Sequence, residues 1–363
     1  MTSRRRFEVD PPWLDQVDIA NAQRRSTEVM AWVQQHFSEL RYQRSGRRLT
    51  VRRPSTWAFD AWAAARDTED QIAISEGAIV ALHDDAQGFV RWVPTGLAHP
   101  ELDELFAMIG LPQIRGLPKE FEPEEAVDKM FRLTLARIYL HEQAHLFQGH
   151  GALLGGASTH RIEERGRARA EPLRGKAAAR RHVCELSADH EATLLTLQLM
   201  ILADGQRLRP GTLWLLIAGL SCLFQRFYDL GEQSIGEEAI GSHPPPSSRM
   251  WLTQELIHHF VTLPEVVERT GASADLRQVW AVLDHAVVSA AMYWASRHAR
   301  GRSMSNYLNG AGGLEPPSKA YREQLADTWA VLRPQVVAQH FGWGESLVLE
   351  LKERFVEWEG LVG

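Results

Sequence analysis

The chain is poor in cysteine: its 363 residues include only Cys184 and Cys222. Two cysteines cannot form the disulfide framework of a small secreted domain, so stability must come from a packed apolar core. The hydrophobic fraction of 44% with 24% charged residues is ordinary for globular proteins and excludes wholesale disorder. At roughly 150 residues per domain, this length predicts about two domains or one large one.

The sequence also lacks a strong net charge and a long apolar run. A net charge of −6 and a pI near 6.2 give no global attraction to nucleic acid or to anionic membranes. The most apolar run, residues 213–224, is shorter than the roughly 20 residues that span a bilayer, so it predicts a buried core helix. The basic start of the chain has no apolar segment behind it, unlike a secretory signal. These absences predict a reduced, cytoplasmic protein without a membrane span.

The spacing of apolar residues predicts an α+β fold that is mostly helical. Helical periodicity runs from Ile19 to Phe37 and again from Pro123 to about Gly151, and a further helix is expected over Cys184–Ala203. The alternation of Ile72 and Ile74 with small or polar neighbours predicts a strand in a small sheet near residues 50–100. The next residues, 77–82, either continue that strand or begin a helix.

Composition and breaks in periodicity divide the chain into three predicted units. These are an N-terminal helical extension (1–54), a central domain (55–262) and a C-terminal helical region (263–363). From about residue 250 to the end of the chain, three or four amphipathic helices are predicted. The three prolines at 244–246 predict a rigid turn, because proline fixes φ and disfavours a helix interior.

A basic insertion, residues 152–181, interrupts the central domain. It carries eight Lys or Arg residues between positions 161 and 181, and it has no aromatic side chain on which a base could stack. Sequence-specific reading of single-stranded nucleic acid is therefore not expected. We expect a solvated surface loop that serves as a lid or a cleavage-sensitive activation segment, and a patch for nucleic acid or an acidic partner is the alternative.

The string His141-Glu-Gln-Ala-His145 lies within the helix predicted from Pro123. Histidines at positions i and i+4 share one helical face, so both imidazoles can reach one tetrahedral Zn²⁺. Glu142 is then placed to accept a proton from water at the open coordination position. The alternative is a helix with two hydrogen-bonded histidines and no metal.

A catalytic zinc needs a third protein ligand. A histidine six residues after His145 would supply one, but that position is Gly151, and His150 is one residue short. Glu185, at the start of the following helix, is the predicted third ligand. Asp189, one helical turn later, is placed to accept the other ring N–H of a liganding histidine. The alternative for this pair is a solvated acidic helix face.

These motifs, in this order, resemble the HExxH/ExxAD glutamate-zincin metallopeptidases, above all the HtpX/Oma-like family and the phage-exclusion Lit-like peptidases. The resemblance spans about residues 56–249. Besides the HExxH string with its His150-Gly151 tail and the ExxAD string at 185–189, it includes Trp57-Ala-Phe-Asp60 with the following strand and glycine at 72–77, and the His-Pro motif at 242–249.

The resemblance implies a zincin-like catalytic domain over residues 55–262 and roles for particular residues. His141, His145 and Glu185 would bind Zn²⁺, and Glu142 would be the general base. His243 and Arg249 would face the site and stabilise the oxyanion. An extended peptide substrate would pair with the edge of the strand formed by Ile72, Ala73, Ile74 and Ser75.

Three departures from the family pattern favour the soluble, Lit-like relatives: Trp57 replaces the usual Asn, the basic insertion is long, and no clear transmembrane helix is present. We therefore predict a soluble zinc endopeptidase acting on a protein or peptide substrate. One alternative is a regulatory or interaction protein with a structural or vestigial zinc site. Another is a membrane-surface protease anchored by residues 194–224. The sequence predicts no oligomeric state.

Overall fold

Helices dominate the part of the chain that the computed structural model describes, together with one small sheet, so the mostly helical α+β class is confirmed. The described residues are 18–66, 68–98, 106–107, 116–154, 159–163, 172–230, 238–273, 275–297, 304–342 and 349.

The N-terminal helix begins where an aspartate caps it. Helix α1 (Ile19–Val33) follows Asp18, whose side chain accepts a hydrogen bond from the Asn21 backbone N–H at 2.9 Å. A π-helical turn, Gln34–Ser38, joins it to helix α2 (Glu39–Ser45). The chain leaves α2 at Gly46, whose φ of +67° suits glycine. The predicted helical region is therefore present.

The sheet has four strands in the order β1-β3-β2-β4. Strand β3 (Glu69–Ile74) pairs in parallel with β1 (Arg48–Arg52) and antiparallel with β2 (Asp60–Ala65). Strand β4 (Thr159–Glu163) pairs antiparallel with the other edge of β2.

The predicted strand at Ile72–Ile74 exists, but its predicted role as a free edge is wrong. Ile72 and Ala73 have partners on both β1 and β2, so their backbone groups are already used in the sheet. Ser75 is not part of the strand. It is the N-cap of helix α3 (Glu76–Gly96), and its Oγ accepts from the Ala78 N–H at 3.0 Å. A parallel partner brought from earlier in the chain, β1, could not be read from the local alternation.

The helix alternative holds for residues 77–82, since α3 begins at Glu76. Gly77 is needed at its first turn, because a Cβ there would lie 2.3 Å from the Trp57 carbonyl oxygen. This close approach holds the segment that leads into β2 against the start of α3.

Two long helices form the centre of the molecule. Helix α4 (Pro123–Phe147) begins with proline at its first position and with a capping box between Glu122 and Glu125. It ends slightly before the predicted region, at Phe147, and Gly149 follows with φ +64°. Helix α6 (Gly175–Ala203) packs along α4.

The basic insertion is more ordered than the predicted surface loop. It contributes the short helix α5 (His150–Leu153), strand β4 and the first turns of α6, which begins at Gly175 instead of near Cys184. The expectation of a loop is therefore wrong for these parts. Residues 155–158 and 164–171 lie outside the described residues.

The remaining helices surround this centre. Helix α7 (Pro210–Leu230) contains the apolar run at 213–224, and Leu215, Leu216 and Ile217 are fully buried, as predicted. No helix among the described residues is long and apolar enough to cross a membrane. The others are α8 (Pro246–Val261), α9 (Pro264–Thr270), α10 (Leu276–Arg297), α11 (Met304–Tyr307) with a π-helical turn at Leu308–Gly312, and α12 (Lys319–Gln339).

The predicted proline turn is shorter than expected. Pro246 is the first residue of α8, a position where proline is tolerated because the missing N–H would have no helical partner. Arg249 therefore lies within a helix and not within the turn. Helix α8 packs against α6, which brings Arg249 toward Glu185 and Asp189.

Candidate metal centre

The two histidines of the HExxH string lie one turn apart on α4, with their rings nearly perpendicular at 88°. The Nε2 atoms of His141 and His145 are 3.1 Å apart. Both side chains are buried, with exposed fractions of 1% and 2%. The helical spacing alone accounts for this pairing, because residues i and i+4 are neighbours on one face.

Glu185 completes a three-residue cluster from α6. Its Oε2 lies 3.4 Å from His141 Nε2 and its Oε1 lies 3.5 Å from His145 Nε2. A tetrahedral ion with ligand bonds of about 2.05 Å holds its ligand atoms about 3.3 Å from one another. The three observed spacings of 3.1, 3.4 and 3.5 Å match that geometry, and the group could hold one metal ion.

Asp189 orients His141. Its Oδ1 lies 2.9 Å from His141 Nδ1. A carboxylate at this distance favours a proton on Nδ1, which leaves the lone pair of Nε2 on the side of Glu185 and His145. Burial disfavours charge on this imidazole, but the Asp189 carboxylate raises the pKa of His141 above its usual value. The predicted partner of a liganding histidine therefore lies where it can fix the tautomer.

Two buried arginines hold Asp189 in turn. Arg137 Nη2 donates to its Oδ1 at 2.7 Å, and Arg249 donates through Nε and Nη2 at 2.6 and 2.7 Å. Burial opposes ionisation of this carboxyl, yet Arg249 and Arg137 together hold the pKa of Asp189 well below its usual value. Asp189 is thus a fixed anion behind His141.

The motifs of the sequence did not single out Arg137. It lies one turn before His141 and is 2% exposed on a helix whose other inward residues are mostly apolar. A single arginine on such a face is a usable signal, because a buried guanidinium requires an anionic partner.

His150 is not one of the three clustered groups, but it contacts one of them. Its Nδ1 lies 2.8 Å from His145 Nδ1, and both rings are buried. If His145 presents the lone pair of Nε2 to a metal, its Nδ1–H donates to His150. His150 thus supports His145 as Asp189 supports His141, a role that the sequence analysis did not assign.

Glu142 is fully buried beside the two histidines. Neither of its carboxylate oxygens has a hydrogen-bond partner among the described residues. Burial raises the pKa of Glu142 to about 8, although the nearby His141 acts in the opposite direction. A buried, ionised carboxylate whose oxygens accept no hydrogen bond raises the free energy of the folded state unless a cation binds it or a proton neutralises it.

His243 and Arg249 both lie at this cluster. His243 Nε2 is 3.9 Å from Glu185 Oε1, and Arg249 Nη2 is 4.0 Å from Glu185 Oε2. The His243 side chain is 24% exposed, whereas Arg249 is buried and engaged by Asp189. Burial opposes ionisation of Glu185, but His243 and then His145 hold the pKa of Glu185 well below its usual value.

The structure thus brings together the predicted residues His141, Glu142, His145, Glu185, Asp189, His243 and Arg249. The predicted substrate strand is placed differently, inside the sheet. Protein-family models, curated proteins and solved structures were all compared with the chain, and none matches. The resemblance to the glutamate zincins therefore stays a prediction, and function must be argued from the geometry of this site.

Proposed function

We propose that the protein is a zinc-dependent endopeptidase that hydrolyses peptide bonds of a protein or peptide substrate. The observation that carries the proposal is the tetrahedral spacing of His141, His145 and Glu185 beside Glu142, whose buried oxygens have no hydrogen-bond partner among the described residues. A purely structural ion would not require a fourth, unpaired carboxylate next to the ligand set.

The donor set favours zinc over other divalent ions. Two imidazoles and one carboxylate form a mixed nitrogen and oxygen set of the kind found in catalytic zinc sites, whereas Mg²⁺ and Ca²⁺ prefer oxygen ligands alone. When bound, zinc would act as a Lewis acid that polarises the scissile carbonyl and makes water more acidic.

Glu142 would hold and move the proton. Its carboxylate would take a proton from the attacking water and pass it to the leaving amine. The pKa of about 8 belongs to the protein without a cation. A nearby cation favours the ionised form of a carboxyl group, so metal binding would lower this pKa and make Glu142 available as a base near neutral pH.

His243 and Arg249 receive different roles in this proposal. His243 is partly exposed and lies close to Glu185, so it can donate to the oxyanion of a tetrahedral intermediate. Arg249 already uses Nε and one Nη to bind Asp189. We therefore assign Arg249 to positioning Asp189, which in turn orients His141.

One observation favours the alternative of a regulatory protein with an inert site. All four central residues, His141, Glu142, His145 and Glu185, are at most 5% exposed. Structural zinc sites, however, use four protein ligands, and the described residues cluster three. The ligand number supports the catalytic proposal more strongly than burial supports the alternative.

The deciding experiment compares zinc-loaded wild type with Glu142→Gln on an unstructured protein substrate, with product termini read by mass spectrometry. We expect Glu142→Gln to keep zinc and fold but to lose about 10²- to 10⁴-fold in rate, because an amide cannot accept the proton. Glu191→Gln is the matched control, since Glu191 is buried on α6 but binds Gln148 and His340. Equal rates for wild type and Glu142→Gln would refute the proposal.

A further inference from the structure

Strand β4 occupies the outer edge of β2. It pairs antiparallel along the whole strand, from Asp60 opposite Glu163 to Ala64 opposite Thr159. This strand comes from the basic insertion, between α5 and α6, and not from the part of the chain that forms the other three strands. The sheet therefore contains three strands from one continuous segment and a fourth supplied from between the two metal-site helices.

The edge that β4 covers is the one beside the metal centre. Strand β2 packs against α4, the helix that carries His141, Glu142 and His145. The first residue of β2, Asp60, is close enough to Glu142 for its charge to contribute to the raised pKa of that carboxyl. Strand β1, at the opposite edge, is separated from β2 by β3. Neighbouring strands are about 4.8 Å apart, so the β1 edge is about 10 Å farther away.

The β2 strand is held firmly at its metal-site end. The Asp60 N–H donates to Ser75 Oγ at 3.1 Å, and Ser75 Oγ donates to the Ala58 carbonyl at 2.6 Å. Gly77 allows the preceding backbone to contact the start of α3. A fixed strand edge offers backbone N–H and C=O groups that bind an extended chain with little dependence on side-chain identity.

We propose that the outer edge of β2 is the binding site for an extended peptide substrate and that β4 is a built-in competitor for it. The proposal rests on the proposed function, because it takes the bound peptide to be the one cleaved at His141, His145 and Glu185. The three ligands are at most 5% exposed, so substrate access to them requires a conformational change. The state described by the structure is then the closed one, and a substrate binds where β4 is displaced.

The expected change in substrate affinity depends on the fraction of molecules in which β4 is displaced, the open state. A substrate that binds only the open state has its apparent affinity reduced by the open fraction. If β4 is displaced in about one molecule in ten, apparent substrate affinity is about tenfold weaker than that of a chain with a permanently open edge.

The test weakens β4 without changing the metal centre. The double variant His160→Pro/Ile162→Pro disrupts β4, because proline lacks the N–H and distorts a paired strand. The matched control is His160→Ala/Ile162→Ala, which changes the same side chains but keeps the backbone N–H groups. Zinc content and hydrogen exchange of α4 and β2 amides are measured for both, so that loss of β2 protection with α4 still protected identifies a folded, open chain.

Two readouts follow for the zinc-loaded proteins. The first is Glu142-dependent cleavage of an unstructured substrate at low concentration. The second is binding of a fluorescent synthetic peptide with the sequence of residues 157–165 to each variant in a Glu142→Gln background. We expect the proline variant to cleave about tenfold faster, and to bind the peptide about tenfold more tightly, than the alanine variant and the parent chain.

The results separate the two proposals. Equal cleavage and equal peptide binding in the proline and alanine variants would overturn the competitor role while leaving the endopeptidase proposal intact. Slower cleavage by the proline variant would also overturn it, because substrate would then depend on β4 itself. Absence of cleavage in every variant would refute the endopeptidase proposal, and tighter peptide binding by the proline variant would still support occupation of the β2 edge by β4.

Discussion

Two clusters of charged side chains differ in whether their carboxylates are matched by protein cations. The metal-centre cluster, formed by His141, Glu142, His145, Glu185 and Asp189, joins α4 and α6. The Asp85 cluster, formed by Asp84, Asp85, Arg226 and Arg297, joins α3, α7 and α10. The carboxylates of Asp85, Glu142 and Asp189 are buried, whereas Arg226 and Arg297 are partly exposed.

In the Asp85 cluster the acids and arginines match one to one. Arg226 donates from Nη2 to both oxygens of Asp85 at 2.8 Å, and Arg297 donates to Asp84 and to Asp85. The Arg226 guanidinium also lies over the Phe59 and Trp294 rings. Two carboxylates and two guanidinium groups leave no net charge, so this cluster can be explained by packing alone.

In the metal-centre cluster the charges do not match. Arg137 and Arg249 both donate hydrogen bonds to Asp189, so neither is left to balance Glu142. Glu142 is left without a hydrogen-bond partner among the described residues, and the pKa of this residue rises to about 8. Two imidazole nitrogens also face each other at 3.1 Å. A buried cluster is therefore a candidate functional site when its carboxylate oxygens and imidazole nitrogens converge on one point and no protein cation lies there to bind them.

The largest effect is expected when one ligand of the metal-centre cluster is removed. His145→Ala removes one of three ligands, so zinc should fall from about one ion per chain to none. Elemental analysis of tag-free protein after zinc supplementation measures this, and His36→Ala, which changes an exposed histidine of the N-terminal π turn, should keep the ion. Wild type that remains metal-free would show that the two clusters do not differ in the way proposed.

Breaking the Asp85 cluster should affect stability and leave the metal untouched. Arg226→Met leaves the buried Asp85 without its main partner, and removing one member of a buried pair costs about 3–5 kcal/mol. Urea unfolding measures the loss, and zinc content should stay at the wild-type value. Loss of zinc in a folded Arg226→Met protein would contradict the separation of the clusters.

The unmatched charge of Glu142 should be visible as a pH dependence of stability in metal-free protein. A carboxyl group whose folded pKa is about 8 stabilises the folded state below its unfolded pKa of 4.5, and that contribution is lost as pH rises toward 8. Relative to wild type, metal-free Glu142→Gln should therefore gain about 4 kcal/mol between pH 4.5 and 8.

Denaturant unfolding across this pH range, after dialysis against a chelator, measures the gain. The control is Glu191→Gln, which changes another buried glutamate, one that already binds Gln148 and His340. A flat difference for Glu142→Gln would mean that a protein cation matches Glu142 even in the metal-free protein.

The smallest expected effect concerns the support behind His141. Arg137→Met removes one of the two arginines that hold Asp189, so zinc affinity should fall about 10- to 100-fold with Arg249 still in place. Competition with a fluorescent zinc chelator measures the affinity. Arg132→Met changes a half-exposed arginine on the same helix and should have no effect. Equal affinities for both variants would remove Arg137 from the support of the site.

The local parts of the site could be predicted from the sequence because they depend on helix geometry alone. The spacing of His141 and His145 places both rings on one face of α4, and Glu185 and Asp189 repeat that spacing on α6. The apolar run of α7 is similarly local. The structure agrees with each of these expectations.

The errors arose where an element's neighbours come from distant parts of the chain. Alternation at Ile72 and Ile74 correctly indicated a strand, but the pattern is the same for an edge strand and for an interior one. The insertion lacked apolar periodicity, yet it supplies β4, because backbone hydrogen bonds to β2 require no particular side chains.

The sequence by itself determined which side chains can share a helix face, since 3.6 residues per turn is a property of the backbone. It thereby determined the His141–His145 pair and the Glu185–Asp189 pair. Only the tertiary structure decided that the two pairs meet, that Arg137 and Arg249 converge on Asp189, and that β4 covers the β2 edge beside them. These contacts join residues far apart in the chain, and burial of the common core selects them over other arrangements that the same local patterns allow.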